Sequence, residues 1–134
     1  MNLLIIPALA VGAFVAMGVW SQKGEAPGLT DEGRLQDPGT KPNCVCSEPG
    51  TQPERAVAPL DASLDAAAAV IETLGGTITS RTDSYLSATF MSKLFKFVDD
   101  VEIRQAGSIC HIRSASRVGY SDNGVNRKRV AAIR

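Results

Sequence analysis

The sequence predicts an α+β domain that follows an N-terminal transmembrane helix and a proline-rich linker. Three observations predict it: an uncharged apolar run at the N-terminus, a stretch that holds six of the seven prolines, and alternating strand patterns between two helical patterns. In the predicted domain a helix comes first, an antiparallel four-stranded meander follows, and a second helix ends the chain. We predict an anchor or signal-anchor at 1–21, a linker at 22–59 and a globular domain at 60–134.

The N-terminal run is uncharged from Asn2 to Trp20. As a helix it would be roughly 28 Å long, close to the hydrocarbon thickness of a bilayer. A cleaved signal peptide is the alternative, but the run exceeds the usual apolar region and no basic residue precedes it. We therefore expect residues 3–20 to hold the chain in a bacterial inner membrane as a single-pass protein with the domain in the periplasm. Lys23 is the only nearby charge, so loop charges do not decide the orientation.

Residues 22–59 have the composition of a linker, with six prolines and five glycines. Proline fixes φ and removes a backbone donor, so neither a central strand nor a long helix is expected there. Only the later part, around residues 41–47, is compatible with an ordered segment lying against the domain.

The domain is predicted from its periodicity. Its first helix is expected to be capped by Asp61, to carry Leu64 and Ile71 on one face, and to end at Gly75. Strands are predicted at 77–81, 85–91, 101–103 and 109–115. The last helix is expected after the turn residues 122–124.

The fourteen basic and fourteen acidic residues are unevenly distributed. Residues 104–134 hold seven bases and a single acid, Asp122, whereas residues 24–103 hold thirteen acids and six bases. This asymmetry favours ion pairing within the domain, and an anionic partner is the alternative.

Three cysteines leave one thiol without a partner. In an exported domain Cys44 or Cys46 would pair with Cys110, because a Cys44–Cys46 bridge would close a strained ring. The Cys-x-Cys spacing also departs from that of zinc sites, even with His111 next to Cys110. We therefore predict no metal site and no cofactor.

Several short strings resemble those of domain-of-unknown-function family 1499. They lie at 42–45, 85–86, 97–102, 113–122 and 124–130, and the long string RSASRVGYSD followed by GVNRKR is the most specific of them. The resemblance covers residues 42–134. It implies a small exported or membrane-anchored bacterial domain, with relatives in plastids and no assigned activity. Cys46 and Ala131 depart from the family pattern, at positions where serine and an acid are common.

A dense polar cluster accompanies these strings. We predict that it forms a ligand-binding site or a structural polar network that consists of Asp99, Asp100, Glu102, Arg113, Ser114, Ser116, Arg117, Tyr120, Asp122, Asn126 and Arg127. Residues 113, 115 and 117 would share one strand face, so that cross-strand carboxylate–guanidinium pairs would follow. A structural network is the commoner outcome. An anion or headgroup site made by Arg113, Arg117, Arg127 and the start of the last helix is the functional alternative.

The remaining candidate residues give weaker indications of a function. Phe95 and Phe97 are expected to cover the core, or to form an apolar contact with a partner. His111 is the only histidine, and its spacing from Ser114, Ser116 and Asp100 indicates no catalytic arrangement. The polar residues 126–129 are expected to form a solvated helix face, and nucleic acid is not an expected partner.

These observations favour a membrane-anchored, non-enzymatic interaction or accessory domain, associated with an envelope protein complex or an anionic lipid. The alternative is a small anionic-ligand-binding or lipid-binding protein, or an enzyme, that uses the polar cluster. The chain is more simply explained as a protein without catalytic activity. The two alternatives differ in geometry, since an interaction domain needs a flat apolar surface around Phe95 and Phe97 and a ligand site needs a concave pocket.

Overall fold

The computed structural model describes residues 5–119 and 121–134. Its helices are α1 at Ile5–Ser21, α2 at Leu64–Thr73 and α3 at Val125–Ile133. Its strands are β1 at Cys44–Cys46, β2 at Thr77–Arg81, β3 at Tyr85–Met91, β4 at Val98–Ala106 and β5 at Ile109–Ser116, and a short 3₁₀ turn at Pro53–Arg55 follows β1.

The five strands form one antiparallel sheet in the order β1-β5-β4-β3-β2. Strands β2 to β5 form a meander, and β1 pairs with β5 so that Cys44 lies opposite Ala115 and Cys46 opposite Arg113. The prediction of a four-stranded sheet is therefore wrong, because β1 adds a fifth strand. Strand β1 has three residues and comes from the proline-rich segment, so no periodicity marks it in the sequence.

The N-terminal prediction also needs correction. Across residues 5–119 and 121–134, none of the helices is long and apolar enough to cross a membrane. Helix α1 has 17 residues within these bounds, or about 26 Å, and its last turn packs against the β3–β4 connection. There Ser21 Oγ accepts a hydrogen bond from Val98 N at 3.1 Å, and a Cβ at Gly18 would collide with Phe95 O. The predicted transmembrane helix is therefore wrong.

The side chains of the sheet alternate between two unlike faces. On the core face Leu86, Val101, Ile103 and Ile112 are fully buried, and α2 and α3 pack against this side. On the opposite side lies what we call the polar face, which is formed by Tyr85, Asp100, Glu102, Arg104, His111 and Arg113. The domain thus buries an apolar layer on one side of the sheet and a hydrogen-bonded layer on the other.

Helix α2 begins and ends for local reasons. Its N-cap is Ser63, whose hydroxyl accepts a hydrogen bond from Ala66 N, rather than the predicted Asp61. Gly75 follows the helix at φ +94°, a conformation that glycine adopts without strain. With these ends, the helix places Leu64 and Ile71 in the core.

Candidate functional site

The register of β4 and β5 divides the predicted site residues between the two faces. Asp100 and Glu102 lie on the polar face, opposite Ala115 and Arg113. Asp99 lies opposite Ser116 on the core face. The predicted cluster is therefore two separate sites, each with its own chemistry.

The core-face group is centred on Asn126, which is 0% exposed. Its Oδ1 accepts a hydrogen bond from Ser114 Oγ at 2.6 Å. Its Nδ2 lies within hydrogen-bonding distance of Asn43 O at 3.0 Å, Ser116 Oγ at 2.9 Å and Asp122 Oδ2 at 2.7 Å. One amide thus joins α3 to β5 and to the residue before β1, which is a structural role.

Asp122 occupies the N-terminus of α3. Its carboxylate accepts hydrogen bonds from Gly124 N at 2.8 Å and from Asn126 N at 3.0 Å. Burial alone would raise the pKa of Asp122, but these hydrogen bonds outweigh burial and lower it. The helix end that belongs to the alternative prediction of an anion site already holds a carboxylate of the chain itself.

Arg127 and Arg129 are also engaged on this side of the sheet. Arg127 donates to Glu54 O at 2.8 Å and to Ala56 O at 3.0 Å, beside the 3₁₀ turn. Arg129 donates to Asp99 at 2.5 Å and stacks over the ring of Phe90 at 4.6 Å. Arg127 is thus apart from Arg113 and Arg117, which lie on the other face.

On the polar face, Arg117 and Asp100 form a two-pronged pair. Arg117 Nε and Nη2 donate to the two oxygens of Asp100 at 2.7 and 2.8 Å. Its Nη1 donates to Ser21 O at 2.9 Å and so fastens the end of α1 to the sheet. The hydrogen bonds to Asp100 raise the pKa of Arg117. All three nitrogens of this guanidinium are occupied.

Glu102 is the most unusual group of the polar face. It is 0% exposed, and its Oε2 accepts hydrogen bonds from Tyr85 Oη at 2.6 Å and from Gly28 N at 3.0 Å. Its Oε1 accepts no hydrogen bond from the described residues. Burial raises the pKa of Glu102, and burial together with the hydrogen bond to Glu102 raises the pKa of Tyr85.

Arg113 lies beside this carboxyl group without a hydrogen bond to it. Its Nη1 is 3.6 Å from Glu102 Oε1, and its Nε donates to Gln36 O at 3.0 Å. Among residues 5–119 and 121–134, neither terminal nitrogen of Arg113 makes a hydrogen bond. The guanidinium therefore keeps donors in the fork geometry that suits carboxylate and phosphate groups.

Arg113 opens onto a cleft of about 390 Å³ between residues 20–27, at and after the end of α1, and the start of β4 with the end of β5. We call this the Arg113 cleft; it is lined chiefly by Trp20, Lys23, Asp100, Arg113, Arg117 and Val118. Asp100 and Arg117 neutralise each other there, and Glu25 partly offsets Lys23. Within the described residues, the acidic partner of Arg113 is Glu102, whose Oε1 lies 3.6 Å from Arg113 Nη1 and whose pKa is raised by burial.

The polar face holds a second charged group, which was not predicted from the sequence. Arg104 donates to both oxygens of Glu48 at 2.5 and 2.6 Å, and Leu35 N donates to the same carboxylate at 2.7 Å. Ser47 Oγ lies 3.0 Å from Nδ1 of His111 nearby. Ser47 and Glu48 follow β1, so finding this group depended on recognising that strand.

The cysteines do not form the predicted disulfide. Cys44 and Cys46 share the face of Arg113, whereas Cys110 lies on the core face, so the sheet separates their sulfur atoms. All three are buried free thiols. Burial raises the pKa of each thiol, that of Cys44 to about 12. Among the described residues, no group of three or more His, Cys, Asp or Glu side chains could hold a metal ion.

Phe95 and Phe97 pack against Phe14 of α1, with ring centroids 5.2 and 6.3 Å from it. Their apolar contact is thus made, at least in part, with the chain itself. Tyr120, which the sequence placed in the polar cluster, lies outside the described residues.

Comparison with known proteins gave one match. A family model described as "Protein of unknown function (DUF1499)" matches residues 34–134. The family resemblance read from residues 42–134 is therefore confirmed, and the match begins somewhat earlier in the chain. No match was found among curated proteins or among solved structures.

Proposed function

The chain belongs to the DUF1499 family of proteins of unknown function, and from this premise we propose that it is a non-enzymatic domain that binds a small anion in the Arg113 cleft. The observation that carries the proposal is the guanidinium of Arg113, which lines the cleft while its terminal nitrogens make no hydrogen bond to the described residues. A fork of donors in a concave site is suited to a carboxylate or phosphate group.

The surroundings of Arg113 support binding rather than catalysis. The other charged pair at the cleft, Asp100 and Arg117, is held by two hydrogen bonds and fixes the shape of the site. The only histidine of the chain, His111, is hydrogen-bonded to Ser47 beyond the residues that line the cleft. Recognition of an anion needs only the preorganised donors that are present.

The proposal is tested by calorimetric titration of the full chain with inorganic phosphate and with acetate at constant ionic strength. Arg113→Gln should weaken binding about ten- to a hundredfold, the loss expected for hydrogen bonds to a charged group. Arg127→Gln is the matched control, because Arg127 lies apart from the polar face and donates to the carbonyl groups of Glu54 and Ala56. Equal affinities for the two variants would refute the site.

A second candidate function is an interaction domain that docks on an envelope protein through α1. Leu9 and Trp20 of this helix are 68% and 71% exposed, and Leu94 of the adjacent connection is 79% exposed. Large exposed apolar surfaces of this kind often mark interaction sites. If this proposal is correct, purification from the native membrane in mild detergent should recover a second protein in a fixed ratio to this chain. The Leu9→Asp variant should no longer recover it. Recovery of an anionic lipid alone would contradict a protein partner. The bacterial inner-membrane location and periplasmic orientation stay predictions.

A further inference from the structure

Arg113 connects the Arg113 cleft to a buried carboxyl group. Its guanidinium lines the cleft, whereas Glu102 on the neighbouring strand lies outside the lining, with Oε1 3.6 Å from Arg113 Nη1. Glu102 is 0% exposed, so an anion in the cleft contacts Arg113 and not the carboxyl group. The charge of Glu102 therefore acts on a bound anion across Arg113, over a short distance.

The two oxygens of Glu102 have different surroundings. Oε2 accepts hydrogen bonds from Tyr85 Oη at 2.6 Å and from Gly28 N at 3.0 Å, whereas Oε1 is buried and accepts none from the part of the chain that the structure describes. A buried oxygen without a hydrogen bond costs more free energy when it is charged than when it is neutral. Burial raises the pKa of Glu102, and the charge of Arg113 lowers it. Oε1 is thus the atom at which a proton is gained or lost.

An anion at Arg113 changes this balance. It engages the terminal donors of Arg113 and adds negative charge near Glu102, so the ionised carboxylate loses stabilisation. For two charges roughly 6 Å apart at an effective dielectric constant of about 20, the proton affinity of the carboxylate rises about ten- to a hundredfold. Binding of the anion therefore favours the protonated form of Glu102.

The other titratable groups of the polar face have partners of their own or remain protonated. Asp100 is paired with Arg117, Glu48 is paired with Arg104, and His111 lies 3.9 Å from Glu48. Burial raises the pKa of the tyrosine and of the two thiols, so all three stay protonated below about pH 8. The charged and titratable groups around Glu102 are Tyr85 of β3, Asp100 and Arg104 of β4, His111 and Arg113 of β5, Cys44 and Cys46 of β1, and Glu25 and Asp37 of the segment after α1.

We propose that Glu102 Oε1 is a proton-binding site coupled to the Arg113 cleft, so that the domain binds its anion together with a proton. This inference rests on the anion site proposed above and adds its regulation. Because the anion favours the protonated carboxyl group, linkage requires that protonation favours the anion by the same factor. The affinity should therefore fall about ten- to a hundredfold as the pH rises from the pKa of Glu102 in the free protein to its pKa in the complex.

Calorimetric titration of the full chain with sulfate, from about pH 5 to about pH 8 at constant ionic strength, tests the coupling. Sulfate keeps its charge over this range. The wild type should lose affinity as the pH rises. Glu102→Gln, whose amide oxygen can accept the hydrogen bonds of Tyr85 and Gly28, should lose this pH dependence and bind as the wild type does at the acid end. Glu25→Gln is the matched control, since it removes an exposed carboxylate that lines the same cleft, and it should keep the wild-type pH dependence.

Proton uptake gives a second measurement that needs no variant. Titrations in two buffers of different ionisation enthalpy should show the wild type taking up protons, to a maximum of about one per bound sulfate. The same pH dependence in the wild type and in Glu102→Gln, or no proton uptake by the wild type at any pH, would overturn the coupling and leave the anion site standing. No saturable binding by any of the three proteins would refute the anion site and the coupling together.

Discussion

Arg113 Nη1 and Glu102 Oε1 face each other across β4 and β5 at 3.6 Å, too far apart for a hydrogen bond and inside a layer that is otherwise closely paired. The neighbouring pair of the same face, Asp100 and Arg117, has two hydrogen bonds of 2.7 and 2.8 Å. The contrast separates the two arginines that the sequence grouped together. Arg117 links the sheet to α1, whereas the terminal nitrogens of Arg113 make no hydrogen bond to the described residues.

Replacement of Arg117 by Gln should destabilise the domain by about 2–4 kcal/mol, because it leaves the buried Asp100 without its counter-charge. The free energy of unfolding is measured by urea denaturation at pH 7. Lys128→Gln, an exposed change in α3, serves as the control and should change it by less than about 0.5 kcal/mol. A loss no larger than that of the control would show that the Asp100 pair is not structural.

Replacement of Asn126 by Ala should cost about 3 kcal/mol, because Ser114 Oγ and Asn43 O lose a buried partner at the same time. Urea denaturation measures the cost, and Lys128→Ala, an exposed change in the same helix, is the control. A cost below about 1 kcal/mol for Asn126→Ala would mean that α3 docks through Val130 and Ile133 alone.

Glu102 should make the domain less stable as the pH rises. Its pKa is raised in the folded state by burial, so between its unfolded and folded pKa values the native state binds more protons and stability falls with pH. Glu102→Gln removes this titration. Unfolding measured between pH 4.5 and 8 should show the variant gaining on the wild type as the pH rises from the unfolded to the folded pKa of Glu102, and a constant difference between the two proteins would argue against a raised pKa.

Glu48 should have the opposite pH dependence. Burial alone would raise its pKa, but the hydrogen bonds from Arg104 and Leu35 outweigh it and lower the pKa. Its contribution is therefore complete above the unfolded pKa and is lost as the pH falls through the folded pKa. Glu48→Gln should destabilise the domain at pH 7 and progressively less toward pH 3. If the loss were the same at both pH values, ionisation of Glu48 would not contribute.

The three thiols should be unreactive in the folded protein. Burial raises the pKa of Cys44, Cys46 and Cys110, and the thiolate is the reactive form. A chromogenic disulfide reagent at pH 8 should label none of them within minutes and all three in guanidinium chloride. Rapid labelling of one thiol in the native state would show that this thiol is accessible and reactive.

The periodicity of the sequence predicted which residues form the core, but it did not predict how the residues of the candidate site are arranged. Ile71, Leu86 and Ile112 lie on the core face because helical and alternating spacing determines which side chains point inward. The alternation also puts Arg113 and Arg117 on the same face. It could not show that the start of α3 is filled by Asp122, because that depends on loop geometry.

The polar face was largely hidden in the sequence for a different reason. Strand β1, Glu48 and the segment that contacts the polar face through Gly28 and Leu35 all come from residues that were interpreted as a linker, since prolines and glycines disrupt every regular pattern there. Their order comes from long-range contacts, such as Arg104 with Glu48 and Glu102 with Gly28. Contacts of this kind follow from the assembled sheet and not from local sequence.

The most direct test of anion binding at Arg113 is an NMR titration of the full chain with inorganic phosphate at constant pH and ionic strength, which follows the side-chain Nε–Hε resonances of the arginines. The Arg113 resonance should shift saturably, while that of Arg127 should stay in place. Shifts of equal size at both arginines, or no saturable shift at Arg113, would contradict the proposed site.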